Sequence, residues 1–323
     1  MIKNYEFLKV KENLFRIKAL NDIKIESPTA NMIIKKGMLG GYIESEMNLP
    51  QDSNSWIFED GVVRGNATIR DTVLISGEIK GNAIVIGSYL DGKDISIYDN
   101  AIVEKSTIYG NVAIYQYSVV RYCNLGTKAN NNILEIRGNT TMVHTTVSSN
   151  VSIYGGNINI SNSRIVDGSS NVSIYGGIVN INNSRIVEGS IHGDVNIKDC
   201  ILNCAYVYDN AIVSNSTISN SKVYDNAKVL NCKINENSEI RGNTVVEYSD
   251  VFNSNISGDS RVYESKVNNK SKIYCNPLIC DSIVCNSSIG GHVIIRNSDI
   301  VDFAKLEGKS ILDGIHIDSD GIS

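Results

Sequence analysis

The sequence predicts an all-β protein: a parallel, triangular β-helix solenoid of about 15 coils behind a small N-terminal β cap. Two observations carry that prediction. The first is a repeat, cleanest over residues 206–244. Val207-Tyr-Asp-Asn-Ala211 returns as Val223-Tyr-Asp-Asn-Ala227 after 16 residues, and as Ile240-Arg-Gly-Asn-Thr244 after 17 more. Carried outward, the same aliphatic register runs from Val63 and Ile79 through Ile136, Ile153, Ile174 and Ile191 to Ile289 and Leu306. The second observation lies inside each step. Between Val223 and Ile240 come Val229 and Ile234, so each coil has three short sides with one inward aliphatic residue apiece. Sides of five or six residues hold no useful helix, and their Ile and Val content suits strands. Flanking residues then point outward, because side chains alternate along a strand.

Corners follow from the same repeat. The Asn three positions after the register residue is expected to take the left-handed backbone of a sharp corner. The small residue after it (Ala67, Ala83, Ala101, Ala211, Ala227) is expected to fill the crowded vertex.

Residues 1–55 stand outside the repeat, and residues 56–323 form the helix. Tyr5–Val10 and Leu14–Leu20 read as a β-hairpin that covers the first coil. Gly40-Gly41 reads as a tight turn rather than a phosphate loop, since no strand-to-helix context surrounds it. Tyr89–Asp94 and Gly126–Asn132 are turn-rich and read as loops leaving corners. Residues 148–189 hold a direct duplication: Ser148–Gly156 recurs as Ser169–Gly177, and Asn162–Val166 as Asn183–Val187, at an offset of 21. Tandem duplication explains it without function; the functional reading is a paired bulge presenting Arg164 and Arg185. The stretch from Ile311 to Ser323 alternates like a strand, and its last coil is expected to leave an open edge.

The aliphatic-x-x-Asn-small pattern resembles the hexapeptide-repeat, left-handed parallel β-helix family, and left-handedness is what that resemblance implies. The lead-in Gly37-Met-Leu-Gly-Gly-Tyr-Ile-Glu-Ser-Glu46, followed by Asn48-Leu49 and Trp56, is similar to that of the YdcK-like bacterial and phage β-helix proteins. The family implies a homo-oligomer as the expected assembly and an acyltransferase as one possible activity. Acyltransferases of this fold use a His between subunits as general base, and its carbonic anhydrases hold zinc on three His.

Composition narrows the function classes. No stretch approaches the roughly 20 apolar residues of a membrane span, and Met1–Phe15 is too charged for a signal peptide, so a cytoplasmic location is expected. A net charge of −5 argues against extended nucleic acid as a partner. Seven cysteines at these spacings read as reduced thiols, with Cys275, Cys280 and Cys285 placed on successive sides. The four histidines, His144, His192, His292 and His316, form no paired ligand motif, so neither a metal nor any other cofactor is expected. His144 is the best candidate for a catalytic base, with His192 behind it. Thr is too sparse for ice binding.

The candidate binding site is the outward row one residue after the register: Arg137, Tyr154, Tyr175, His192, Tyr208, Tyr224 and Arg241, with Arg164 and Arg185 added by the duplicated coils. The bland reading is a packing ladder. The sharper one is a recognition stripe for a protein partner or a planar, nucleotide-like anion. A non-enzymatic binding or scaffold protein, for which phage counter-defence is one form, is therefore weighed against a hexapeptide-repeat acyltransferase.

Overall fold

The computed structural model describes in full residues 3–26, 30–92, 94–122 and 206–318; at 27, between 124 and 203, and at 321–322, it describes the strands and a few adjoining residues, mostly as backbone. The chain is an all-β parallel solenoid, and it divides into two compact units, Met1–Asp167 and Gly168–Ser323. The division falls between the two copies of the duplicated segment. Each copy folds alike: Val151–Ile153, Ile158–Ser161 and Arg164–Ile165 in the first unit match Val172–Ile174, Val179–Asn182 and Arg185–Ile186 in the second.

The first unit opens with strands β1 (Tyr5–Lys11) and β2 (Leu14–Ala19), an antiparallel hairpin with Tyr5 opposite Ala19. A second hairpin joins β3 (Ile23–Ser27) to β4 (Ala30–Ile34). Strand β5 (Leu39–Ile43) pairs antiparallel with β2 and parallel with β6 (Trp56–Val63), so it converts the hairpin into a parallel stack. Gly40 and Gly41 lie inside β5 and are no turn. A Cβ on Gly40 would stand 2.4 Å from the Ile57 carbonyl oxygen, and one on Gly41 2.3 Å from that of Phe58. The two glycines are there because β6 passes too close for any side chain.

Beyond β6 each turn contributes three short parallel strands. Along the first side the register residues pair in order, Val63 with Ile79, Ile79 with Ile97, and Ile97 with Ile114. In the second unit Val207, Val223, Ile240 and Ile256 pair likewise. Among the described residues, six second-side strands from Thr68–Arg70 to Ile158–Ser161 belong to the first unit, and nine from Val179–Asn182 to Lys309–Asp313 to the second. The inward residues of all three sides make the core: Ile240, Val246 and Val251 are 0–1% exposed, as are their counterparts one turn away. Ala67, Ala83, Ala101, Ala211 and Ala227 are buried at the vertices, as the spacing predicts.

Three expectations need correction. Tyr89–Asp91 is a strand of the stack, paired with Val73-Leu74 and Thr107–Tyr109, because Leu90 takes an inward core position and overrides the turn-like residues after it. The end of the stack is partly covered: Gly321–Ile322 folds back antiparallel on His316–Asp318. Cys275 lies at a corner, with φ 68, while Cys280 and Cys285 take the second and third sides. Gly126 ends a strand, and the rest of the Gly126–Asn132 stretch lies outside the described residues.

The corners also differ in detail from the expectation. The left-handed residue is the one before the Asn: Asp209 (φ 58) and Asp225 (φ 60), with glycine at Gly242 (φ 80). That leaves the Asn free for a different task. Its carboxamide donates to the next Asn up the stack, Asn66 to Asn82 to Asn100 in one unit and Asn210 to Asn226 to Asn243 in the other, at 2.9–3.1 Å.

The other two corners carry buried hydroxyls. Ser216, Ser249, Ser265, Ser282 and Ser298 are at most 4% exposed, and Cys232 occupies the same place at 3%. Each oxygen (or sulfur) accepts the backbone N–H of the equivalent residue one turn on: Cys232 N to Ser216 Oγ at 3.0 Å, Ser265 N to Ser249 Oγ at 3.1 Å and Ser282 N to Ser265 Oγ at 3.1 Å. Ser221 and Ser238 do the same at the third corner, accepting from Ser238 N and Ser254 N. A buried N–H left unpaired costs about 1–3 kcal/mol, so these hydroxyls belong to the framework.

The lead-in segment starts both kinds of ladder. Asn48, fully buried, donates to the Gly65 and Ala67 carbonyls at 2.9 and 2.7 Å, closing the first Asn corner. Ser55 Oγ accepts from Thr72 N at 3.1 Å, and Thr72 Oγ1 from Ser88 N at 3.3 Å. The Tyr5 hydroxyl accepts from Ser55 N at 3.0 Å, which ties the hairpin to the hydroxyl row.

Because each turn bonds only to its neighbours, damage is expected to stay local. Ile240→Asp places a carboxylate at a fully buried site. Hydrogen exchange followed by mass spectrometry should lose protection in the turns around residue 240 while β1, β2 and β5 stay protected. Loss of protection along the whole chain would contradict a turn-by-turn structure.

Candidate functional site

Parallel, in-register strands turn each outward position into a row with about 4.8 Å between members. The row one residue after the register was singled out from the sequence, and the first side builds it in both units. In the second unit Tyr208, Tyr224 and Arg241 are consecutive members. The two rings stack with centroids 4.8 Å apart and planes 12° apart. Tyr224 donates its hydroxyl to Glu239 and accepts from Arg241 Nη1 at 3.4 Å, and Arg241 Nε lies 3.5 Å from Glu239.

In the first unit the same device recurs around Arg137, with partners the sequence reading did not name. Tyr98 and Tyr115 stack at 4.6 Å and 6°. Tyr115 donates to Glu135, Arg137 Nη1 donates to the Tyr115 hydroxyl at 3.4 Å, and Arg137 Nη1 stands 3.7 Å from Glu135. Lys80 Nζ lies 5.6 Å from the Tyr98 ring centroid and 2.8 Å from Glu78, which also holds Arg64 at 3.4 Å. The signal was available: Glu-x-Arg with Tyr one and two turns earlier occurs at both places, Glu135/Arg137 and Glu239/Arg241.

This arrangement decides what the row can bind. Within each Tyr pair the facing ring surfaces cover one another. In the first unit Lys80 lies over the Tyr98 ring, and Arg137 reaches the Tyr115 hydroxyl. A planar ligand stacks on a free ring face, and here the facing surfaces of each pair and one face of Tyr98 are already in use. What the row presents outward is ring edges and charges that are already balanced.

Burial, and then the hydrogen bond to a carboxylate, pushes the Tyr115 and Tyr224 hydroxyls up to about 12. Arg241 is raised by its hydrogen bond to Tyr224. The raised values mean that the neutral phenol is the form the fold prefers. Its contribution to stability is therefore complete below the ordinary tyrosine value near 10 and is lost as pH rises toward about 12.

The remaining predicted site residues are placed as follows. Tyr154, Tyr175, His192 and His144 lie outside the described residues. Arg164 and Arg185 open the strands Arg164–Ile165 and Arg185–Ile186, which are third-side strands in register with Thr146 and Ile201. They are thus strand residues on a different side from the Tyr row, and the residues that would form a paired bulge beside them lie outside the described residues. Of the other histidines, His292 begins a second-side strand, and His316 stands 4.0 Å from Asp299 and 3.5 Å from Asp318. Among the described residues no three His, Cys, Asp or Glu side chains gather as a metal-binding group. No helix among them is long and apolar enough to cross a membrane. A shallow groove of about 440 Å³ lies in the second unit beside Tyr206, Lys222 and Glu239. Cys232 is buried in the hydroxyl row, and desolvation pushes its thiol up to about 11.

No protein-family model matches the chain, and no curated protein does. Among solved structures, a protein from Desulfovibrio desulfuricans G20, named only as a candidate acetyltransferase, is similar over 82% of this chain and 66% of its own length, at 10% identity and a TM-score of 0.26. A score that low carries nothing about activity.

Two predictions follow from this chemistry. In an ultraviolet titration, Tyr→Phe variants at 115 and 224 should remove the tyrosine absorbance change that the parent shows only near pH 12; a change centred at pH 10 at these positions would contradict the ladder. Alkylation mapped by mass spectrometry should modify exposed Cys275 readily and leave Cys232 unmodified in the native protein.

Proposed function

We propose that the chain is a non-enzymatic binding protein that presents flat strand sides to a protein partner. We also place it with the YdcK-like branch of hexapeptide-repeat proteins, on the likeness of its lead-in segment. The observation that carries the binding reading is the outward architecture. Side chains stand in registered rows on flat sides, and the Tyr–Tyr–Arg–Glu device that holds one such row rigid occurs in both units. Rigid, amphipathic rings suit a protein surface, because they lose little conformational freedom on contact. The stacking of the paired rings on one another leaves fewer faces to a planar ligand, which favours a protein over a nucleotide-like one. Asn48 and Leu49 of the lead-in segment are fully buried and close the first turn, so the likeness there speaks for fold and not for a reaction.

The alternative, an acyltransferase, rests on His144 and His192. Both readings are tested together. Acetyl-CoA, offered with a panel of amine and hydroxyl acceptors, should release no free thiol above the level of a His144→Ala/His192→Ala variant. Affinity capture from host lysate should retain a protein that Tyr224→Ala/Arg241→Ala no longer holds, with circular dichroism unchanged. Thiol release that depends on either histidine would overturn the binding reading in favour of the enzyme.

A further inference from the structure

The second side of the second unit brings cations and outward aliphatic side chains together in one row. On the first side Arg241 lies 3.5 Å from Glu239 and Lys305 lies 3.2 Å from Glu307, while Lys222 and Lys272 have no carboxylate within 4.0 Å among the described residues. On the second side Lys228, Val245, Arg261, Leu278 and Ile294 are paired in strict order along one outward row, and Arg296 lies in the neighbouring row. Lys228, Arg261 and Arg296 are exposed, and Val245, Leu278 and Ile294 are half-buried. Among the described residues, none of these three cations has a carboxylate within 4.0 Å. Two carboxylates share the adjacent row among the described residues: Glu247, between Leu230 and Tyr263, and Asp313, paired with Arg296 on the next strand but not within 4.0 Å of it.

Outward aliphatic side chains grouped on one strand side are uncommon on a surface with no partner. Cations spaced among them and left without carboxylates are what electrostatic steering requires of an interface. The two features coincide on one flat strand side. We propose that this side docks an acidic protein segment that carries aliphatic side chains, its carboxylates meeting Lys228, Arg261 and Arg296 and its aliphatic groups covering Val245, Leu278 and Ile294. The proposal rests on the binding-protein reading and adds the face and the chemistry of the partner. It also identifies a surface distinct from the Tyr row, on another side of the same turns.

The test uses the full chain and fluorescein-labelled ten-residue peptides of alternating Leu and Glu, with alternating Leu and Lys as the control, read by anisotropy. The Leu-Glu peptide should bind and the Leu-Lys peptide should not, with affinity falling as salt is raised. Arg261→Glu combined with Arg296→Glu should weaken Leu-Glu binding at least tenfold. Tyr224→Ala/Arg241→Ala should leave it unchanged. Both substituted sites on the second side are exposed, and circular dichroism checks that the fold is retained. The proposal is overturned if Leu-Glu does not bind, if Leu-Lys binds equally, or if the charge reversal changes affinity less than twofold. Two other occupants would also overturn it. One is an anionic membrane, seen as binding to phosphatidylserine vesicles that the charge reversal abolishes. The other is a second copy, seen in light scattering as a mass above 35.3 kDa that Leu278→Glu returns to the monomer. Failure here with a captured partner still sensitive to Tyr224→Ala/Arg241→Ala would remove this face and leave the binding-protein reading standing.

Discussion

The constraint on which the structure depends is that each turn of this chain can satisfy its backbone only through the turns next to it. A short strand such as Val245–Glu247 has no partner in its own turn; its bonds run to Lys228–Leu230 on one side and Arg261–Tyr263 on the other. Corners are harder, because the chain must bend within one or two residues and bury the next N–H. The solution is a left-handed residue at the bend, Tyr248 (φ 50) or Glu264 (φ 47), followed by a serine whose oxygen receives the N–H of the turn beyond. A left-handed Tyr or Glu costs of order 1–3 kcal/mol, and it persists because the hydroxyl row and the aliphatic core over-determine the bend.

Function is built on the same constraint. Once the register is locked, an outward position is repeated in space at the strand spacing, so a row has the character of whatever side chains occupy it. The first side uses this to stack Tyr98 on Tyr115 and Tyr208 on Tyr224, with arginine and glutamate finishing each stack. That use is inward-looking: the facing ring surfaces, the Tyr115 and Tyr224 hydroxyls and the two arginines are engaged within the row. The second side of the second unit leaves aliphatic groups and cations facing outward instead. A flat, rigid surface of this kind loses little entropy when a partner settles on it, and affinity then depends on side-chain chemistry more than on area.

Much of the fold was legible in the sequence because aliphatic spacing is a direct consequence of strand geometry. Val223, Val229, Ile234 and Ile240 could be placed inward from their spacing alone, and each is buried. What the spacing could not convey was chemistry at the corners. Asn226 was assigned the left-handed bend, whereas Asp225 takes it and Asn226 joins an amide ladder. The serine rows were missed although their signal is regular: Ser216, Ser249, Ser265 and Ser282 each stand two residues before an inward Ile or Val. Gly40-Gly41 was misread because a close backbone approach from β6 leaves no mark in local sequence. The candidate row was half legible. Tyr208, Tyr224 and Arg241 do stand in one row, but Glu239, which organises them, occupies the opposite flank of the strand and was not considered.

Native amide exchange at Ser282, measured by NMR in Ser265 variants, tests the central claim most directly. Ser282 N–H has Ser265 Oγ as its acceptor at 3.1 Å, and Cys232 shows that a sulfur can stand in such a row. The account predicts that Ser265→Ala speeds exchange at Ser282 about tenfold or more, in line with a loss of about 1–3 kcal/mol, while Ser265→Cys stays close to the parent. Unchanged exchange at Ser282 in Ser265→Ala would mean that the buried hydroxyl rows do not hold the turns together, and the account would be wrong.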